Sequence, residues 1–310
     1  MSENQPQPLD RFDLYTRIAD AMGVADYSTQ IIHYTSSETL ERILETQSLW
    51  FGSTVQMNDT TECDHFINEI LAQAPALLSD AGQLLLQRFI EQLRPAIRQE
   101  TYISSWCEYF DEYPDGRLSM WRGYADEGKG VALVVDSSPL QHSRMTPQKI
   151  DFHVYSSKVE YVREGHAAAL AHDYLQRISA LPEVNAALLN RMNMAVMLLA
   201  KAPCVKHNGF DEEAEVRFIY MKGLRRIIGQ TLSEETIHTL DPGPNEKAFF
   251  VLPLTNYPEY GFDLRIETVL KKVIVGPSAD KEARAEATRK LLDHYGLEHV
   301  PVDISRIPLR

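Results

Sequence analysis

The sequence predicts a mixed α/β fold: a single domain with a bent or split mixed sheet, helical insertions and a closing strand-helix-strand unit. Three observations carry that expectation. Residues 30–53 hold a strand, an amphipathic helix and a second strand in immediate succession. Short apolar runs at 101–107, 131–135 and 248–254 recur between long stretches of helical periodicity. Residues 269–304 repeat strand, helix and strand, with Gly276-Pro277 and Gly296 as stop signals.

In the first unit, Ile31 and Ile32 followed by His33, Tyr34 and Thr35 form a run rich in β-branched and aromatic side chains, stopped by two serines, which is the pattern of a buried strand. Residues 35–38 (TSSE) have capping-box spacing, in which a hydroxyl takes an orphan amide and the glutamate reaches back. Leu40, Ile43 and Leu44 fall at i, i+3 and i+4 and give the helix one apolar face. Leu49, Trp50 and Phe51 resume a strand, and Asn58, Asp59 and Glu62 offer a turn and a second cap.

Upstream, residues 1–26 form a polar segment with a short amphipathic leader helix, and 27–310 a single domain. Phe66, Ile70 and Leu71 continue a helix to Pro75, and a second helix over 77–97 is expected to turn Leu84, Leu85, Phe89 and Leu93 inward. These make a helical insertion near 62–99, and a second is expected near 165–203. Residues 101–107 (TYISSWC) return to strand character before an acidic loop with a Pro-Asp-Gly turn. After residues 119–124 (SMWRGY), Gly128-Lys129-Gly130 permits a tight turn into the apolar run 131–135; it lacks the upstream glycine and the following Ser or Thr of a phosphate loop. One or two strands are expected in 149–161, and the helical stretch 167–202 places Leu170, Tyr174, Leu175 and Ile178, then Leu188, Leu189 and Met192, on apolar faces. Residues 213–221 (EAEVRFIYM) alternate as a strand, with Glu213, Glu215 and Arg217 on one face.

Composition bounds the function. The chain has 310 residues, 44% of them hydrophobic and 24% charged, which suits a globular protein with a full core. A net charge of −13 repels phosphate backbones, so non-specific nucleic-acid binding is not expected. No apolar run approaches the roughly 20 residues that span a bilayer, and the first residues lack a signal pattern, so the cytoplasm is the expected compartment. Cys63, Cys107 and Cys204 are odd in number and far apart, which fits neither a disulfide framework nor a paired zinc site. Cys204 and His207 make an isolated C-x-x-H, and His65 with Glu69 lies one helical turn apart; neither is expected to hold a metal. A hydrolase acting on a nucleotide or a nucleic-acid end is a third reading, and the absence of G-x-S-x-G, H-E-x-x-H and a metal-spaced carboxylate set argues against the common hydrolase classes.

His33 ends a strand just before a capped helix, where polar side chains tend to reach a ligand cleft. Against that stands a core-edge histidine satisfied by a backbone carbonyl, and for Glu213, Glu215 and Arg217 a salt-bridge network.

The ordered pieces HYTSSETLERIL, SLWFGS, MND with Glu62, SMWRGYADEGKGVALVVD, FDEEAEVRF, VIVGPS and SRIPLR resemble the uncharacterised bacterial family called domain of unknown function 2971, over about residues 31–310. The family's CFSE-type strand stands here as SSWCE. A second resemblance is to ADP-ribosyltransferases: His33-Tyr34-Thr35 with Leu40-x-x-Ile43-Leu44, then residues 102–105 (YISS), then Glu213-Ala214-Glu215 are similar to their pattern in order. That resemblance implies NAD as cosubstrate and no metal. It implies Glu215 as the catalytic carboxylate that stabilises oxocarbenium character on the ribose, and Glu213 as the base for an unknown acceptor. It further implies His33 and Thr35 on the adenosine ribose, Ser105 supporting Glu215, and Tyr124 or Trp121 stacked on the nicotinamide. The alternative is a non-catalytic nucleotide- or metabolite-sensing module. The transferase assignment requires His33 and Glu215 to face one pocket.

Overall fold

The computed structural model describes residues 27–56, 62–141, 154–179, 198, 200–222, 237–240 and 247–308. The expected leader helix, the triplet at residues 57–59 and the helix around Leu188, Leu189 and Met192 lie outside the described residues.

Strand β1 (Gln30–Thr35) leads into helix α1 (Ser37–Thr46) and strand β2 (Ser48–Ser53). The cap of α1 falls on Ser36, whose hydroxyl accepts from the Thr39 amide at 3.0 Å. Thr35 cannot serve, because it is still paired in the ladder opposite Val131, and Glu38 turns outward to Arg42 instead of closing a capping box. Leu40, Ile43 and Leu44 are buried on one face, as their spacing predicts.

Helices α2 (Glu62–Leu77) and α3 (Asp80–Gln99) follow, and Asp64, buried on α2, is clamped by Arg94 at 2.6 Å and by Arg98 from α3. Helix α3 turns Leu86, Ile90 and Ile97 inward, while Leu84 and Leu85 are 49% and 58% exposed. Three leucines in a row set no helical phase; the isoleucines do.

The remaining elements are β3 (Thr101–Glu108), α4 (Leu118–Tyr124), β4 (Val131–Asp136), β5 (Val154–Lys158), β6 (Glu160–Val162), α5 (Glu164–Ser179) and β7 (Val205–His207). After these come β8 (Glu215–Met221), β9 (Ile237–Leu240), β10 (Lys247–Pro253), β11 (Asn256–Tyr257), β12 (Phe262–Asp263) and α6 (Ile266–Val269). The strand β13 (Leu270–Val275), helix α7 (Lys281–His294) and strand β14 (Val302–Ile304) close the fold, with β13 and β14 parallel as a strand-helix-strand unit requires.

The main sheet runs β14-β13-β4-β1-β3-β2-β10-β9, with β8 on the other edge of β3 and β5 beyond it. Strand β8 pairs with β3 from Thr101 to Cys107, so β1 and β2 must share the remaining edge. They take its opposite ends: β1 pairs at Cys107 and Glu108, β2 at Tyr102 and Ile103. The sheet is therefore mixed and split, parting at Ser104–Trp106.

Paired residues share a face of a sheet and neighbours in sequence alternate. One face carries Ile31, His33 and Thr35 with Leu133, Trp106, Val216 and Phe218, and packs on α1. The opposite face carries Ile32, Tyr34, Cys107 and Val134, and packs on Trp121 of α4. A third core joins α2, α3 and α5 to Val205 and Met221. Gly130 is required where β4 begins: a Cβ there would lie 2.1 Å from the Thr35 carbonyl oxygen.

Candidate functional site

The polar centre of the molecule lies on the α4 face, at the start of β8. Glu215 opens that strand opposite Cys107, and Arg217 stands two residues on, on the same face. Both are buried, Arg217 fully. Arg217 donates to both carboxylate oxygens of Glu215 at 2.9 Å and to the Pro203 carbonyl at 2.6 Å. Lys206, buried on β7, reaches Glu215 at 3.4 Å and Glu213 at 2.8 Å. Burial pushes the Glu215 carboxyl upward, but the charge and hydrogen bonds of Arg217, then Lys206 and the Ser105 hydroxyl, outweigh it and hold the pKa below the ordinary value. Glu215 is thus an ionised, fully engaged group. The Tyr161 hydroxyl accepts from the Glu215 amide at 2.8 Å, anchoring its backbone too.

Glu213 reaches the same cluster by a different route from the one its spacing predicts. It ends a 3₁₀ turn, and Ala214 adopts a left-handed conformation with φ 43° and ψ 50°, so β8 begins only at Glu215. The kink still brings both carboxylates to Lys206. Glu213 remains partly open, its side chain 12% exposed, and the hydroxyl of Tyr124 donates to it at 2.8 Å. Burial first, and then this bond to a carboxylate, push the Tyr124 hydroxyl above its ordinary pKa. Tyr124 is 51% exposed, and Phe210, whose ring lies 4.5 Å from the Lys206 ammonium, is 39% exposed. A third exposed aromatic, Tyr113, lies under Arg117, which itself donates to the Glu212 carbonyl. Glu213 thus bonds one exposed aromatic, Tyr124, and through Lys206 neighbours a second, Phe210, while the buried Glu215 beside it is neutralised by Arg217 and Lys206.

The other predicted residues divide. Ser105 joins the cluster, its hydroxyl turned to Glu215. Its carbonyl, which the parted strands leave without a ladder partner at this edge, accepts from His33 Nδ1 at 2.9 Å, which assigns the proton to Nδ1. The imidazole lies on the α1 face, its ring centroid 4.9 Å from that of Trp106, and burial lowers its pKa while the Ser105 bond opposes the shift. His33 and Glu215 therefore stand on opposite faces of the sheet, and the expectation that they line one pocket is corrected: Ile32, not His33, shares the face of Cys107 and Glu215. Thr35, two residues beyond His33, is buried on the α1 face as well. Trp121 offers no surface for stacking. It is fully buried, donates to the Asp115 carbonyl at 2.8 Å and meets Tyr34 edge-on at 5.1 Å.

Lys206, Tyr161 and Phe210 were not foreseen as partners. Only Arg217 left a signal, its alternation with Glu213 and Glu215; the lysine comes from a separate short strand that no spacing connects to them. Among the described residues no group of three His, Cys, Asp or Glu could hold a metal ion, and no helix is long and apolar enough to cross a membrane. Cys204 donates to the Ala200 carbonyl and His207 accepts from the Gly209 amide, so the C-x-x-H pair is not convergent.

No curated protein and no solved structure matches the chain. Residues 120–218 match the family described as "Protein of unknown function (DUF2971)", whereas HYTSSETLERIL, SLWFGS, VIVGPS and SRIPLR fall outside the matched span. That span contains Tyr124, Tyr161, Lys206, Glu213, Glu215 and Arg217, so over about a third of its length, the part that carries this cluster, the chain is similar to the family of unknown function DUF2971.

Proposed function

We propose that this protein is a non-catalytic sensing module that binds a nucleoside-like ligand at Glu213 and Tyr124. The observation that supports it best is the division of labour between the two glutamates. Glu215 has both oxygens occupied by Arg217 and is further held by Lys206 and Ser105, so it has no oxygen to offer a reacting ribose. Glu213 accepts one bond from Tyr124 and one from Lys206 and keeps an open edge. A carboxylate has about four acceptor sites, so it can still take two donors, which suits vicinal ribose hydroxyls. Tyr124 and Phe210 supply apolar faces for a base. The acidic run Asp211, Glu212 and Glu213, with a net charge of −13, favours leaving any phosphates outside. The transferase assignment on His33 and Glu215 loses its support, because the two residues share no cleft.

The experiment is a calorimetric titration with adenosine, AMP and NAD, run beside an assay of nicotinamide release from NAD. Adenosine is expected to bind and NAD to remain intact. Glu213→Gln should weaken binding by about tenfold or more, the loss of a charged acceptor of roughly 1.5 kcal/mol. Absence of binding by all three ligands refutes the sensing reading, and release of nicotinamide restores a transferase or glycohydrolase.

A further inference from the structure

The loop between β3 and α4 meets two distant parts of the molecule, one at Asp115 and one at Arg117. The first is the segment that follows β14. Ser305 is fully buried, its amide donates to the Val275 carbonyl at 2.9 Å, and Ile307 packs on the core that holds Tyr34 and Trp121. From this footing the Ser305 hydroxyl donates to the Asp115 carbonyl at 2.9 Å. The Arg306 amide donates to the Asp115 carboxylate at 2.9 Å, and its guanidinium takes both carboxylate oxygens, at 3.1 Å and 3.0 Å.

The second part is the 3₁₀ turn Asn208–Glu213. The Arg117 guanidinium crosses Tyr113 and donates to the Glu212 carbonyl, next to Glu213. Carbonyls at the end of so short a helix lack intrahelical partners, so a donor from outside settles where the turn lies. Arg117 has a stronger acceptor within reach, because an arginine bonds a carboxylate about twice as strongly as it bonds a neutral carbonyl. Asp115 stands two residues before it, and this molecule shows what that spacing allows: Arg265 donates to both oxygens of Asp263, at 3.0 Å and 2.7 Å. The backbone of Arg117 is held by its amide, which donates to the Tyr34 hydroxyl at 2.9 Å, so only the side chain would have to turn.

From this competition we infer that Arg306 is a positioning residue for Glu213. By occupying the Asp115 carboxylate it leaves Arg117 to the Glu212 carbonyl and so keeps the turn in place. The Arg306 side chain is 76% exposed, so its removal frees Asp115 without threatening the fold. The consequence for a ligand rests on the reading of Glu213 as the binding carboxylate; the consequence for the turn does not.

The test follows amide hydrogen exchange in the full, ligand-free chain and then titrates adenosine. The reporter is the Ala214 amide, which closes the turn on the Asp211 carbonyl at 3.1 Å, with the Phe218 and Tyr220 amides of β8 as controls. Arg306→Ala should speed exchange at Ala214 by about two- to thirtyfold and weaken adenosine by a similar factor, leaving β8 unchanged. Adding Asp115→Asn removes the competing carboxylate and should return exchange to within about twofold of the wild type, a rescue that mere loss of a surface contact would not show. Arg117→Met should loosen the turn by itself and make Arg306→Ala silent. Unchanged exchange at Ala214 in Arg306→Ala, an equal rise at Phe218, or no rescue by Asp115→Asn overturns the inference. Exchange that follows this pattern while adenosine binds no form of the protein supports the positioning role and removes the nucleoside reading alone.

Discussion

Replacing Arg217 by methionine separates a structural pair from a reactive glutamate. Methionine matches the length of the arginine stem, so the change leaves little void, but it removes the two 2.9 Å bonds to Glu215 and the 2.6 Å bond to Pro203. Breaking a buried ion pair by deleting one partner costs about 3–5 kcal/mol, because the other charge stays buried. Against a typical total stability of about 5–15 kcal/mol that is a large share. The pH dependence should change sign as well. In the wild type the Glu215 pKa is depressed, so its contribution is fully present above the ordinary value of 4.5 and is lost as the pH falls through the native value. Without Arg217, burial becomes the dominant influence and raises the native pKa above 4.5, so the variant regains stability as the pH falls through that raised value. The deficit, measured by urea unfolding, should therefore be larger at about pH 7 than at about pH 5. His33, whose depressed pKa removes stability as the pH drops below 6.5, acts on both proteins alike and cancels in the difference. A deficit below about 1 kcal/mol, or one independent of pH, would show that Glu215 is not held by Arg217 in the manner described.

Ala214→Gly should raise the urea midpoint, because a left-handed alanine costs about 1–2 kcal/mol and glycine returns only about 0.5–1 of it as chain entropy. The same change should weaken ligand binding at Glu213 through a looser approach of its carboxylate; an unchanged or lower midpoint counts against stored strain at this position. Leu44→Ala, at a fully buried site on α1, should cost about 2–5 kcal/mol, and a near-neutral unfolding midpoint would mean that the packed face of the helix is another one.

Much of the framework was legible in the sequence. Leu40, Ile43 and Leu44 fixed the inner face of α1, and the uniform apolar run of β4 marked a central strand because both of its faces are covered. Trp50 is only half-buried, against Phe249 at 5.5 Å, because alternation along β2 gives the α1-face core to its neighbour Phe51. The candidate site was harder to read for a specific reason. Alternation tells which residues of one strand share a face, but not which face of a distant strand they join. That relation runs through β3, where Cys107 lies opposite both Ile32 and Glu215, and a shift of one residue would have put His33 there instead. Ala214 gave no warning either. A left-handed residue is usually announced by glycine or asparagine, and an alanine between two glutamates at strand spacing reads as strand.

The divided edge of β3 also bears on motion. Strand β3, paired along its length with β8, acts as a spine, while β1-β4-β13-β14 and β2-β10-β9 hang from it as two wings with no ladder between them among the described residues. At the point where the wings part, a side chain, the His33 imidazole, supplies the bond to the Ser105 carbonyl that a neighbouring strand would otherwise make. What joins the wings is side-chain packing: Leu133 and Val273 of one and Phe51 and Leu252 of the other lie in a single buried cluster with Leu40 and Leu44 of α1, so that helix does the work of the missing ladder and its loss should loosen both wings from the spine together.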